Sequence, residues 1–130
     1  MATPFGLSTL GQIAMSVKDL DRAVAFWRDT LGARFLFQAP PALAFFDLDG
    51  VRLMLAPPEG PEEGHMASVL YFKVDDIRAA HAELAGRGVA FVDEPHLVAD
   101  LGSHELWMTF FHDSEGNLLS LMAEVAKAGS

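Results

Sequence analysis

The sequence predicts an α+β fold built from one βαβββ unit used twice. Three matches in the same order carry that prediction. Val17-Lys18-Asp19-Leu20-Asp21-Arg22-Ala23 resembles Val74-Asp75-Asp76-Ile77-Arg78-Ala79-Ala80, and Val17 to Val74 and Ala23 to Ala80 are both steps of 57 residues. Gly32-Ala33-Arg34-Phe35 matches Gly88-Val89-Ala90-Phe91 one residue closer, at a step of 56. Asp49-Gly50 and the run after it match Glu115-Gly116 and its run at a step of 66, so the second copy carries a longer insert. Ordered repeats of this kind mark a duplicated structural unit.

Each copy opens on a short apolar run, Gln12 to Val17 and Val69 to Val74, fit for a strand. An aspartate follows at a helix N-cap position, Asp19 and Asp76. A carboxylate there accepts from free backbone N–H groups and suits the positive end of the helix dipole. Leu20, Val24, Trp27 and Leu31 then recur at helical spacing, and Ile77, Ala80, His81 and Leu84 do so in the second copy. Gly32 and Gly88 terminate the two helices. Three strand-like runs follow each helix: Arg34–Phe37, Leu43–Leu48 and Val51–Ala56, then Ala90–Val92, Glu105–Phe111 and Leu118–Ala123. Turn residues separate the last two runs of each copy, at 47–50 and 113–117. The chain reads as one domain over 1–130, with module one at 9–56, a Pro-, Gly- and Glu-rich linker at 57–67 and module two at 68–124.

Composition narrows the function. At 130 residues, with 51% hydrophobic and 21% charged side chains, the chain can bury a core without disulfides. There is no cysteine, so thiolate metal sites and thiol nucleophiles are excluded. The formal net charge of −9 argues against nucleic acid and anionic membrane surfaces as partners. It serves solubility, or attraction for a cationic ligand. Neither a signal peptide nor a membrane span is visible, and the expectation is a cytoplasmic protein.

The motif VxDxxxAxxFW at Val17 to Trp27, and FxxDxxGNxLxLM at Phe110 to Met122, resemble the glyoxalase/bleomycin-resistance/dioxygenase (vicinal oxygen chelate) superfamily. The resemblance runs from about Thr9 to Glu124. It implies that the two sheets form a cup for a ligand, often on a divalent metal, and that the chain is a homodimer. It also implies four metal ligands. Gln12, five residues before Val17, fills the first position as an acceptable amide. Met54, or Leu53 with a slip of one, falls where a glutamate is wanted. Val69 stands at the histidine position and Ser120 at the second glutamate. One amide oxygen cannot hold zinc, nickel or iron, which want three or four good donors. The expectation is no metal and no cofactor. Of the five histidines, only His96 and His104, flanking the insert, offer a relocated site.

Strand alternation then assigns a lining. Gln12, Ala14, Ser16, Arg52 and Met54 face the cup, as do Val69, Tyr71, Lys73, Leu118, Ser120 and Met122. The expected ligand-binding set is Gln12, Met54, Val69, Tyr71, Trp107 and Ser120. Along 104–108, Glu105 and Trp107 share one face, and His104, Leu106 and Met108 the other. Either face can point inward. Trp107 inward provides a stacking surface beside an acid; His104 is inward in the opposite register. Trp27 reads as core.

Three functions remain open. The first is metal-free sequestration of a small organic molecule, as in bleomycin-resistance proteins. The second is a glyoxalase-like lyase or isomerase, or another enzyme, using Glu105 or His104 for proton transfer. The third is a regulatory or structural module.

Overall fold

The computed structural model describes residues 5–57 and 68–127. His65 and all of the expected linker after Pro57 lie outside the described residues. Module one comprises β1 (Gln12–Ser16), α1 (Leu20–Ala25), β2 (Arg34–Ala39), β3 (Leu43–Leu48) and β4 (Val51–Ala56). Module two comprises β5 (Leu70–Lys73), α2 (Ile77–Gly86), β6 (Ala90–Phe91), β7 (His96–Asp100), β8 (His104–His112) and β9 (Leu118–Ala126). Each module makes its own mixed sheet, in the orders β1-β4-β3-β2 and β5-β9-β8-β6. The first pair of each path is parallel and the rest are antiparallel.

Local chemistry explains the elements. Asp19 and Asp76 cap their helices as expected, accepting from the backbone N–H of Arg22 and Ala79 at 3.0 Å each. α1 continues past Ala25 as a π-helical turn, Phe26–Thr30, in which the Leu31 N–H reaches back to the Phe26 carbonyl. The β3–β4 turn places both Asp49 and Gly50 at positive φ, 53° and 97°. That is the two-residue Asp-Gly hairpin geometry, which suits the strand twist. β7 is a strand the sequence reading does not foresee. It forms from the insert and adds to the same edge of β8 as β6.

The core runs through both modules. In β4, Leu53 and Leu55 are buried while Arg52 and Met54 face the other way. Trp27, on the far side of α1, packs on Phe46 of its own sheet and Phe72 of the other, with ring centroids 6.4 and 6.0 Å apart. Among the described residues, no helix is long and apolar enough to cross a membrane.

The β8–β9 turn fastens module two to module one. The Glu115 side chain is only 1% exposed, although it is ionised. It accepts from the backbone N–H groups of Lys18 and Asp19 at 2.7 and 2.9 Å and from the Arg22 guanidinium at 2.7 Å. Asn117 donates to the Ser16 carbonyl at 3.1 Å, and the Trp27 indole N–H to Asp113 at 3.4 Å. Arg22 beside it, together with these backbone donors, holds the Glu115 carboxyl down to about 2. The charged form is therefore the folded form's partner. Its contribution is complete above the ordinary carboxylate range and is lost as pH falls from about 4.5 towards 2. Glu115→Gln keeps the shape and removes the charge. Arg22 is half in solvent, so the expected loss at pH 7 is about 2 kcal/mol rather than the roughly 3–5 kcal/mol of a fully buried pair. Urea unfolding at pH 7 and pH 3 checks it: the gap between wild type and variant should narrow at pH 3, and an equal gap at both would refute the assignment.

Candidate functional site

Each sheet has one face packed on its helix and one open face. Register decides which residues share the open faces. In module one, Gln12 aligns with Arg52, Ala14 with Met54, and Met54 with Phe45. The Gln12 amide lies 3.9 Å from the Met54 sulfur. The Arg52 guanidinium stands 5.6 Å over the Phe45 ring, which in turn packs on Phe37 at 4.8 Å. This face is therefore an aromatic and thioether surface with one amide and one cation upon it.

In module two, Ser120 on β9 lies between Tyr71 of β5 and Phe110 of β8 in register. The Tyr71 and Phe110 rings meet edge to face at 6.1 Å over that row. Ser120 is fully buried, with its hydroxyl 3.0 Å from the carbonyls of Thr109 and Leu121. It lines the floor and presents no group to a ligand. Tyr71 is 46% exposed. Val69 is half-buried and lies two residues before Tyr71, on the same face by strand alternation.

Of the six residues expected to line one cavity, five lie on the open faces of the sheets. Gln12 and Met54 sit on the first sheet's open face, and Val69, Tyr71 and Ser120 on the second's. Trp107 is on the opposite side. It aligns with Ala123, a core residue, and the Arg78 guanidinium of α2 stands 5.3 Å over its ring. Glu105 goes with it, accepting from the Trp107 indole N–H at 3.3 Å. The reading with Trp107 and Glu105 inward is corrected. His104, Leu106 and Met108 hold the open face, and the His104 Nδ1 lies 2.8 Å from the Ser103 hydroxyl. The cause is the pairing of β8 with β9, which puts Thr109 and Phe111 into the core and Trp107 into line with them.

The residues at the metal positions do not fit a metal. Met54 and Val69 supply no hard donor, the Ser120 hydroxyl is buried against two backbone carbonyls, and among the described residues no group of three or more His, Asp or Glu could hold an ion. His96 and His104 cannot combine. His96 aligns with Met108, four residues along β8 from His104, a separation of roughly 13 Å. His96 instead pairs its Nδ1 with the Glu94 carbonyl at 2.8 Å.

The open-face aromatics Phe37, Phe45 and Phe110 are absent from the sequence-derived site. The signal lies in pairing partners: Phe110 follows from Ser120 once β8 and β9 are aligned. Two cavities lie at the module junction, and of the six expected residues only Tyr71 lines either. The second of these is lined by Ile13 of β1 and Leu70 to Lys73 of β5, the edge strands of the two sheets.

Comparison with known proteins agrees with this architecture. A glyoxylase-like domain-containing protein of Didymella fabae is 30% identical over 125 residues, covering 88% of this chain and 93% of that one. A lactoylglutathione lyase structure from Agrobacterium tumefaciens superposes with a TM-score of 0.73 at 21% identity, over 90% of this chain and 94% of that chain. TnmS3, an antibiotic binding protein from Streptomyces sp. CB03234, superposes with a TM-score of 0.75 at 22% identity, over 93% and 99%. Residues 9–121 match the model of the Glyoxalase/Bleomycin resistance protein/Dioxygenase superfamily, and the chain belongs to that superfamily.

Proposed function

We propose that this protein binds a small organic molecule without a metal, on the open faces of its two sheets, and sequesters it. The observation that carries the reading is chemical. Where the superfamily's metalloenzymes need hard donors, this chain has Met54, Val69 and Ser120, and around them are ring pairs, Tyr71 on Phe110 and Phe37 on Phe45. Apolar surface with few polar handles suits an organic ligand. Tyr71, Met54 and Val69 supply contact area, and the Gln12 amide and Tyr71 hydroxyl supply direction. That one structural neighbour is named an antibiotic binding protein supports the same class of role.

The proposal includes a homodimer. Phe37 and Tyr71 are about half exposed, and the edge strand β7 presents Leu97 and Val98 to solvent. Exposed edges and apolar faces of this kind are ordinarily covered. Sedimentation showing only monomer at micromolar concentration would remove this part.

His104 favours a second reading, since it is the titratable candidate on the open face. In it the protein is an enzyme using side-chain proton transfer. Glu105 is less suited, held against Trp107 on the helix side.

A thermal-shift screen of two- and three-ring aromatic compounds, cations included, separates these. We expect hits that come off chemically unchanged by mass spectrometry. Tyr71→Ala and Met54→Ala should each weaken them about five- to tenfold, the value of one aromatic or apolar contact. Binding unaffected by both variants would refute the site. A product that disappears in His104→Ala would establish the enzyme reading instead. Zinc, nickel and manganese should leave the melting temperature of the chelator-treated protein unchanged. About one metal per chain by elemental analysis, lost in Gln12→Ala, would overturn the metal-free assignment.

A further inference from the structure

The two modules meet unequally. On one side of the junction, Trp27 fills the space against Phe72, and Glu115 pairs with Arg22. The repeat identifies the residues that hold the corresponding positions on the other side. The 57-residue step that relates Val17 to Val74 relates Trp27 to Leu84 and Arg22 to Ala79. The step of 66 relates Glu115 to Asp49. An indole is replaced by an isobutyl group, and the Arg–Glu pair is missing.

A cavity of about 430 Å³ borders both Trp27 and its smaller counterpart Leu84. Its walls include Leu48, Phe72 and Leu84, and Trp27 lies at its floor. That volume falls within the roughly 300–1,000 Å³ of small-molecule sites. Three charged residues border it: Lys73, Arg87 and Glu83. Glu83 and Arg87 are paired at 3.0 Å, and Arg87 also donates to the Thr30 carbonyl at 3.0 Å. Lys73 alternates with Phe72 at the end of the edge strand β5, so it stands at the rim shared by this cavity and the open face, and its side chain has no hydrogen-bond or ion-pair partner among the described residues. Two cations and one carboxylate leave the mouth locally positive. The acidity of the whole chain acts from farther away and is screened over about 8 Å at physiological salt. Asp49 borders only the adjoining shallower cavity, which also shares Lys73.

We propose that this junction cavity is a second small-molecule site, for a compact aromatic carboxylate whose ring enters between Phe72 and Leu84 and whose carboxylate meets Lys73. The site is on the helix side of the sheets and shares none of the residues that carry the open-face proposal.

The protein has two tryptophans, so Trp107→Phe leaves Trp27 as the single reporter. The probes are 4-bromobenzoate, whose bromine quenches a nearby indole, and the neutral 4-bromobenzamide. We expect saturable quenching of Trp27 by the carboxylate at one per chain, with the amide binding about tenfold more weakly, the value of a charge-assisted contact. Lys73→Gln should weaken the carboxylate by the same factor and leave the amide unchanged. Leu84→Trp, which gives module two the residue of module one, should abolish binding by calorimetry. Met54→Ala, on the open face, should not alter it. Equal carboxylate affinity in Lys73→Gln, full binding in Leu84→Trp, or loss in Met54→Ala would each overturn the proposal. So would apparent affinity that falls as chain concentration rises, since a second copy would then be covering the cavity.

Discussion

The Asp113–Asn117 turn holds the two halves of this molecule in one arrangement. Asp113 is buried, and its carboxylate is satisfied by the backbone N–H groups of Glu115 and Asn117, the Asn117 amide and the Trp27 indole. A buried carboxylate without such donors would cost several kcal/mol. With them, the turn becomes a rigid tongue. Glu115 at its tip then reaches the free N–H groups ahead of α1, where the helix dipole also favours a negative charge. The turn is thus a hairpin end within module two and an anchor for module one at the same time. Trp27 joins both roles, because the same side chain that donates to Asp113 packs between Phe46 and Phe72.

This anchoring leaves the sheet faces free. Because the modules are joined through a turn, a helix and apolar packing, neither open face is consumed in joining them. What those faces carry follows from the residues at the three ligand positions. A glutamate or histidine at 54, 69 or 120 would need a metal or a partner to be accommodated. Methionine, valine and serine need neither, and Ser120 satisfies itself on adjacent carbonyls. The rings of Tyr71 and Phe110 can then close over it. On the second sheet a self-satisfied serine and an aromatic pair thus stand at the position of a metal ligand.

Much of the fold was legible in the chain. Leu43–Leu48 and Val51–Ala56 have the bounds read from the sequence, because an Asp-Gly turn fixes their register and buried and outward residues alternate along Val51–Ala56. Asp19 and Asp76 cap their helices because the signal is local. The facing of Trp107 was not legible. From His104 to Met108 every residue is partly buried, so no alternation distinguishes the two faces, and only pairing with β9 decides. β7 was hidden for a related reason: the insert has no pattern of its own, and the edge of β8 organises it. Glu115 read as an ordinary turn residue, since its partners Lys18, Asp19 and Arg22 lie more than ninety residues earlier. Gln12 and Met54 were found together because they belong to neighbouring strands; a meeting of the two open faces has no such local determinant.

Duplication also explains why the molecule is not symmetric where symmetry would be expected. A pair of identical modules would be fastened twice. Here one turn is long enough to present a glutamate and an aspartate, and the helical segment of the other module carries the arginine and the tryptophan that donate to them. The other turn is a two-residue hairpin ending in Gly50, and its facing helix carries Ala79 and Leu84. Once one junction is held by a buried carboxylate, a second clamp adds little to the placement of the modules. The residues of the unfastened junction are released from that duty, and packing density no longer requires them to fill the gap. A binding surface can form there without loosening the fold, because the forces that position the modules act on the far side of Trp27.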